Sequence, residues 1–335
     1  MRCMTPGRPQ PSTLSVALAL ATVYVIWGST YLAIAYVVET LPPLLAAGVR
    51  FVIAGLLILG FLVARDRGSR KPGRSRLAVP RAVEWRTAII VGGLLLLGGN
   101  GMVSVAEQSV PSGLAAVLIA TVPIWMTLFD ALLTRRRPSA LAGIGLGVGM
   151  LGVAILLFPT QGVSELDPVG IGLLVLAAVS WAIGSIYARH GPLPQNQLMG
   201  TGMQQLAGGG VILVAALLVG DFGRFDPGQV STASWLGLVY LIIFGSLLGF
   251  TAFVWLLHHV PVTTASTYGY VNPVVAVALG ILVRGEQLTP RTIVAAALII
   301  GAVVAMVTGR PREVEGAGPS PEAGGMDTSL NEEVP

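Results

Sequence analysis

Charge is what this sequence most lacks. Only 11% of its 335 residues are Asp, Glu, Lys or Arg, against roughly 25% in an ordinary soluble domain. So few charges cannot cover a water-facing surface. With 54% hydrophobic residues and a mean hydropathy of +0.79, the solvent for most of the chain is lipid. Cysteine is nearly absent: Cys3, in the N-terminal tail, is the single one. That excludes an intrachain disulfide, a Cys-based zinc site and a thiol motif. Histidine is scarce, and His190, His258 and His259 all fall near the ends of apolar runs. No HExxH or GxxxxGK[ST] pattern occurs, so a zinc hydrolase or a P-loop ATPase cannot be assembled. A convergent acid–base cluster for membrane hydrolysis is missing as well. The sequence implies no enzyme and no cofactor. The net charge of +4 is not a nucleic-acid footprint, because the basic residues lie between apolar segments.

What is present is apolar length. A membrane helix needs about 20 apolar residues, and ten such runs can be read: Leu14–Val38, Leu44–Ala64, Ala88–Val105, Ser112–Leu133, Leu141–Phe158, Val169–Ala188, Leu198–Val219, Trp235–Leu257, Val262–Val283 and Ile293–Thr308. The first run is too long for a signal-peptide core and lacks a cleavage site, so it counts as a span. The linker from Arg65 to Arg86 is basic, and the residues after Arg310 are too polar to bury a core. With the N-terminus inside, cytoplasmic segments hold 16 of the 20 Lys and Arg. The asymmetry places both termini in the cytoplasm.

The chain also repeats itself. At a shift of 150 residues Trp85 falls on Trp235, Gly99 on Gly249, Val110-Pro111 on Val260-Pro261 and Pro123 on Pro273. Upstream, Gly48 matches Gly202, and Gly28-Ser29-Thr30-Tyr31 matches Gly184-Ser185-Ile186-Tyr187. Each half then holds five spans. Because five is odd, the second half enters the membrane from the opposite side. The expected fold is an all-α integral membrane protein of ten transmembrane helices in two inverted five-helix repeats, with a site near the midplane between them.

Polar and aromatic residues inside the runs mark that site. Thr264, Tyr268 and Asn272 share one helix face, and a buried amide needs either a wet cavity or a neighbouring helix to bond. Their first-half counterparts are Leu114, Leu118 and Val122, so the polar contacts are expected mainly on the second half. Trp27 and Tyr31 share a stripe of the first span, Trp181 and Ser185 an arc of the sixth, and Asn100 lies in the third. These seven residues, Trp27, Tyr31, Asn100, Trp181, Ser185, Tyr268 and Asn272, are the candidate substrate contacts. Ser29 falls on the far side of its helix and is assigned to packing. Pro123 and Pro273 should kink their spans. Arg50, the one basic residue within a span, is assigned to gating or structural pairing, with Glu107 or Glu286 as partner, or to an anionic group. Glycine and alanine patterns in the fifth and tenth spans read as packing faces between the halves or between two protomers of a homodimer. No carboxylate lies mid-span, which favours a facilitator or exchanger over proton coupling.

Trp27-Gly28-Ser29-Thr30-Tyr31, Arg50-Phe51, the paired Pro123 and Pro273, and Gly285-Glu286-Gln287-Leu288 resemble the EamA-type permeases of the drug/metabolite transporter superfamily. The resemblance runs from about Leu14 to Thr308. It implies a bacterial inner-membrane permease with a central cavity, exporting amino acids or related metabolites without ATP, with a small-molecule substrate and membrane lipid as partners. Where this family often has a Gly-Glu pair after the fourth span, the chain has Thr134-Arg135-Arg136-Arg137. The expected organisation is a tail at 1–13, repeats at 14–158 and 159–308, and a tail at 309–335. The alternatives are a membrane sensor or scaffold of the same fold that translocates nothing, and an exporter of drugs or other metabolites.

Overall fold

The computed structural model describes residues 12–68, 78–134, 140–157, 167–260, 268–285 and 289–308. Among them every regular element is helical. The helices are α1 (Thr13–Val37), α2 (Pro43–Gly68), α3 (Ala82–Ala106), α4 (Ser112–Ile119), α5 (Val122–Thr134), α6 (Ala140–Leu157), α7 (Pro168–His190), α8 (Gln197–Leu218), α9 (running from Thr232 to His259), α10 (Tyr268–Arg284) and α11 (Pro290–Thr308). Their starts are chemically marked. The side chains of Ser12, Asp167, Asn196 and Ser231 accept backbone N–H groups of α1, α7, α8 and α9, which closes donors that hydrocarbon could not satisfy. Asp221 does the same over distance: its Oδ2 accepts from the N–H of Leu44 at 2.9 Å and of Leu45 at 3.3 Å, capping α2 from the far repeat.

Six helices (α1, α2, α3, α7, α8 and α9) are long and apolar enough to cross a membrane, and shorter apolar helices cover Ser112–Met126, Val271–Arg284 and Ile293–Ala302. Large apolar side chains point outward along them, with Leu57 51%, Leu218 82% and Leu282 80% exposed. In water such surfaces would aggregate, whereas lipid tails cover them. The chain is a multi-pass membrane protein.

Two departures from the expected helices matter. The fourth run is broken. It ends as α4 at Ile119, turns through Ala120 and Thr121, and restarts as α5. Pro123 therefore sits in the first turn of a new helix, where its missing N–H is no loss, rather than kinking a continuous one. Pro273 does lie inside a helix, α10. Further, α3 and α9 are not α-helical throughout: Gly93–Gly101 and Leu241–Gly249 are wound as π-helix.

The halves dock through self-related pairs. α2 runs against α8 and α6 against α11. Close approach explains several glycines: a Cβ at Gly55 would meet the Leu206 backbone N at 2.5 Å, and one at Gly152 would meet Ile299 Cγ1 at 2.8 Å. Gly143, Gly147 and Gly301 have nothing within 4 Å and do not take part. At one end of the bundle the connections are tied together. Arg284 pairs with Glu39 at 2.7 Å, Ser109 donates to Asp167 at 2.6 Å, and Thr40 donates to Ser234 at 2.7 Å.

Candidate functional site

Around the middle of the bundle lies a partly open cavity. It is lined from α1 (Trp27, Thr30, Tyr31), α2 (Arg50, Phe51), α3 (Gly99, Asn100), α7 (Ala177, Trp181), α9 (Gly245, Phe250) and α10 (Tyr268, Asn272), with Ile119 and Val122 from either side of the α4–α5 break.

Aromatic rings form one wall. Trp27 is the hub, edge-to-face with Trp181 at 6.0 Å and with Tyr268 at 5.3 Å, and tilted on Phe250 at 6.4 Å. Such geometry sets the electropositive edge of one ring on the face of the next. It also accounts for a tryptophan midway along α1. Asn272 is 5% exposed, and its Oδ1 has no hydrogen-bond partner among the described residues. A buried amide oxygen left unpaired is costly, so a donor is expected to meet this atom.

Arg50 is also 5% exposed. Its Nε donates to Ser246 Oγ at 2.8 Å, and its guanidinium lies 4.6 Å from the Phe51 ring centre. Gly245 leaves the space it fills, since a Cβ there would come within 2.8 Å of Nη2. Among the described residues no carboxylate forms an ion pair with it. The expected pairing with Glu107 is not formed. Glu107 is buried at the C-cap of α3. Glu286, Gln287, Leu288 and Thr264 lie outside the described residues.

Six of the seven candidate contacts, Trp27, Tyr31, Asn100, Trp181, Tyr268 and Asn272, thus come to one cavity. Ser185 does not. Its hydroxyl donates to the Trp181 carbonyl at 2.7 Å, one turn back on its own helix. Ser29 also lies outside, bonding Tyr240 Oη at 2.6 Å and so joining α1 to α9. Polar groups are not confined to the second half: Arg50, Thr30, Tyr31 and Asn100 all come from the first. The residue pattern did not mark α2 as a cavity wall, nor Phe51, Phe250 and Gly245 as lining. An arginine followed by a phenylalanine inside an apolar run was the available signal.

A family model described as EamA-like transporter family matches the chain twice, over residues 14–158 and 168–308. A relative named uncharacterized inner membrane transporter YedA, from Escherichia coli strain K12, is 39% identical over 293 residues, covering 87% of this chain and 90% of the relative. The uncharacterized transporter YoaV of Bacillus subtilis is 26% identical, covering 85% of this chain and 94% of the relative. Protein PecM of Dickeya dadantii is 28% identical, with 83% and 88% covered. A protein crystal structure at 21% sequence identity shares the fold, with a TM-score of 0.57 over 88% of this chain and 96% of that one.

Proposed function

The chain belongs to the EamA-like transporter family, and from that premise we propose that it is a secondary transporter exporting amino acids or related small metabolites by alternating access. It is a transporter and not an enzyme. In this reading the chain crosses a bacterial inner membrane ten times as two inverted repeats, both termini in the cytoplasm, and the halves rock around the cavity. Trp27, Tyr31, Asn100, Trp181, Tyr268 and Asn272 contact the substrate, with rings holding its apolar part and amides fixing its orientation.

The observation that carries the reading is the cavity itself. It lies around the middle of the bundle, both repeats build it, and it holds a buried amide oxygen with no partner among the described residues. Irregular backbone at membrane depth is tolerated where it lines such a space, and the π-helical stretches of α3 and α9 contribute Gly99, Asn100 and Gly245 to the lining. A non-transporting scaffold has no use for that cost.

The test is flux. Purified protein in proteoliposomes should show saturable movement of an amino acid or a related compound, and Asn272→Ala should lower it at normal expression. No saturable flux across a panel of amino acids, amines and sugars would leave the scaffold reading standing. Undiminished flux in a well-expressed Asn272→Ala protein would remove that residue from the site.

A further inference from the structure

Among the described residues the cavity lining carries one formal charge, and it is positive: Arg50 is the one Asp, Glu, Lys, Arg or His side chain there. The ion pairs among the described residues, Arg81–Glu84, Arg224–Asp221 and Arg284–Glu39, leave it out. One nitrogen, Nε, is used on Ser246; Nη1 and Nη2 have no hydrogen bond among the described residues. The groups around the guanidinium are neutral: a serine hydroxyl, a phenylalanine ring and a glycine backbone. Gln205, buried beside Ser246 with its amide donating to the Ser246 carbonyl at 3.3 Å, is neutral too. A buried guanidinium without a counter-ion is expensive in a bilayer, and such groups persist where function needs them.

The surroundings fix how the charge is presented. The Nε bond to Ser246 and the Phe51 ring hold the guanidinium in one plane. Gly245 supplies the room, and the free edge carries the two terminal nitrogens. A planar fork of parallel N–H donors matches a carboxylate bidentately. Nearby, Trp27, Trp181, Phe250 and Tyr268 offer an apolar, aromatic wall. Among the described residues no carboxylate lines the cavity to neutralise an ammonium.

We propose that the substrate is a small organic acid with an apolar or aromatic body, held by its carboxylate on Arg50. This deepens the transporter reading and rests on it. Amino acids qualify through their carboxylate. Amines lacking one do not, and an acid lacking the amine still binds.

Three probes of one ring size separate the groups: phenylalanine carries carboxylate and amine, phenylacetate the carboxylate alone, phenethylamine the amine alone. Each is titrated into detergent-purified protein up to about 10 mM, with thermal midpoint and tryptophan emission as readouts. Phenylacetate and phenylalanine should raise the midpoint and perturb the emission of Trp27 and Trp181, while phenethylamine does neither. Arg50→Gln should weaken the carboxylate response at least about tenfold, and Arg50→Lys should retain part of it. The proposal is overturned if phenethylamine matches phenylacetate, if neither acid has any effect on the wild type, or if Arg50→Gln binds the acids like the wild type. The wild-type comparison stands even where Arg50→Gln does not fold. Acid binding without flux would sink the transporter reading and leave the anion site. Flux that favours the amine would do the reverse.

Discussion

Replacing Gly28 by alanine tests the close approach that seats α10 beside the cavity. A Cβ at position 28 would lie 2.6 Å from Val275 Cβ, 2.8 Å from its Cγ1 and 3.3 Å from the Asn272 carbonyl oxygen, where ordinary contact begins at 3.4 Å. The nearest of these atoms is a Cβ, which no rotamer change can move, so α1 and α10 must part by close to 1 Å. Overpacking of this kind costs about 1–3 kcal/mol. Alanine's better helix propensity, about 1 kcal/mol, is common to any Gly→Ala change. Gly60, in α2, is therefore the control, since a Cβ there would have nothing within 4 Å. Gly28→Ala should melt about 2–6 °C below Gly60→Ala in detergent, with flux reduced because Asn272 moves with α10. Val275→Gly should restore part of the loss in the double variant. Val275→Ala should not, since it keeps the offending Cβ. Equal midpoints and equal flux for the two glycine variants would refute the argument.

The remaining expectations concern single groups. Asp221→Ala should lower stability by about 2 kcal/mol, because it strips the cap from two N–H groups of α2, while Asp221→Asn retains an acceptor and should cost about half as much; thermal unfolding reads both. Ser185→Ala should leave flux within about twofold of wild type, since its hydroxyl is spent on its own helix; a large loss would return Ser185 to the site. The Ser109 hydroxyl, followed by the Val169 N–H, holds the Asp167 carboxyl below its ordinary value of 3.8. Its folded pKa being depressed, the stabilisation is present above that ordinary value and is lost as pH falls through the depressed one. Ser109→Ala should move the Asp167 titration back toward 3.8 in a carbon-NMR titration of the carboxyl groups.

Much of this architecture is legible in the residue order, and the illegible parts share a cause. Apolar runs bounded α1, α2, α7, α8 and α11 to within a few residues, because lipid leaves helix ends to be set by where polarity resumes. Trp27, Tyr268 and Asn272 stood out because polar and aromatic groups at mid-depth need a reason. Ser185 looked equivalent, yet a hydroxyl can satisfy itself on the carbonyl a turn back, and no periodicity reveals that choice. Arg50 was visible as a charge but not as a cavity wall, since its placement depends on Gly245 and Ser246, nearly 200 positions away. The π-helical windings left no compositional mark. Neither did the break before Pro123: one proline in an apolar run fits a kink as well as a restart, and Thr121 decides it locally by turning its hydroxyl onto the Leu118 carbonyl at 2.6 Å.

Those π-helical stretches connect the internal repeat to the cavity. Shifting Gly93–Gly101 by 150 residues lands two positions from Leu241–Gly249, so the same irregularity stands at the corresponding place in both repeats. A π turn widens the helix and offsets its ladder, which is tolerable in a bilayer only against protein or a cavity. Here it meets both. Gly99, from the first repeat, leaves room for Trp181 of the second: a Cβ there would lie 2.7 Å from Cε3. Gly249, its repeat partner, leaves room for Trp27 of the first, with a Cβ 2.7 Å from Nε1. Each indole is seated on a glycine of the opposite half, and the two indoles meet edge to face at 6.0 Å. Relative motion of the halves would therefore drag each tryptophan across its glycine seat and change the shape of the cavity walls. The aromatic cluster thus spans the junction of the two repeats, where any shift of one against the other must reach the cavity wall.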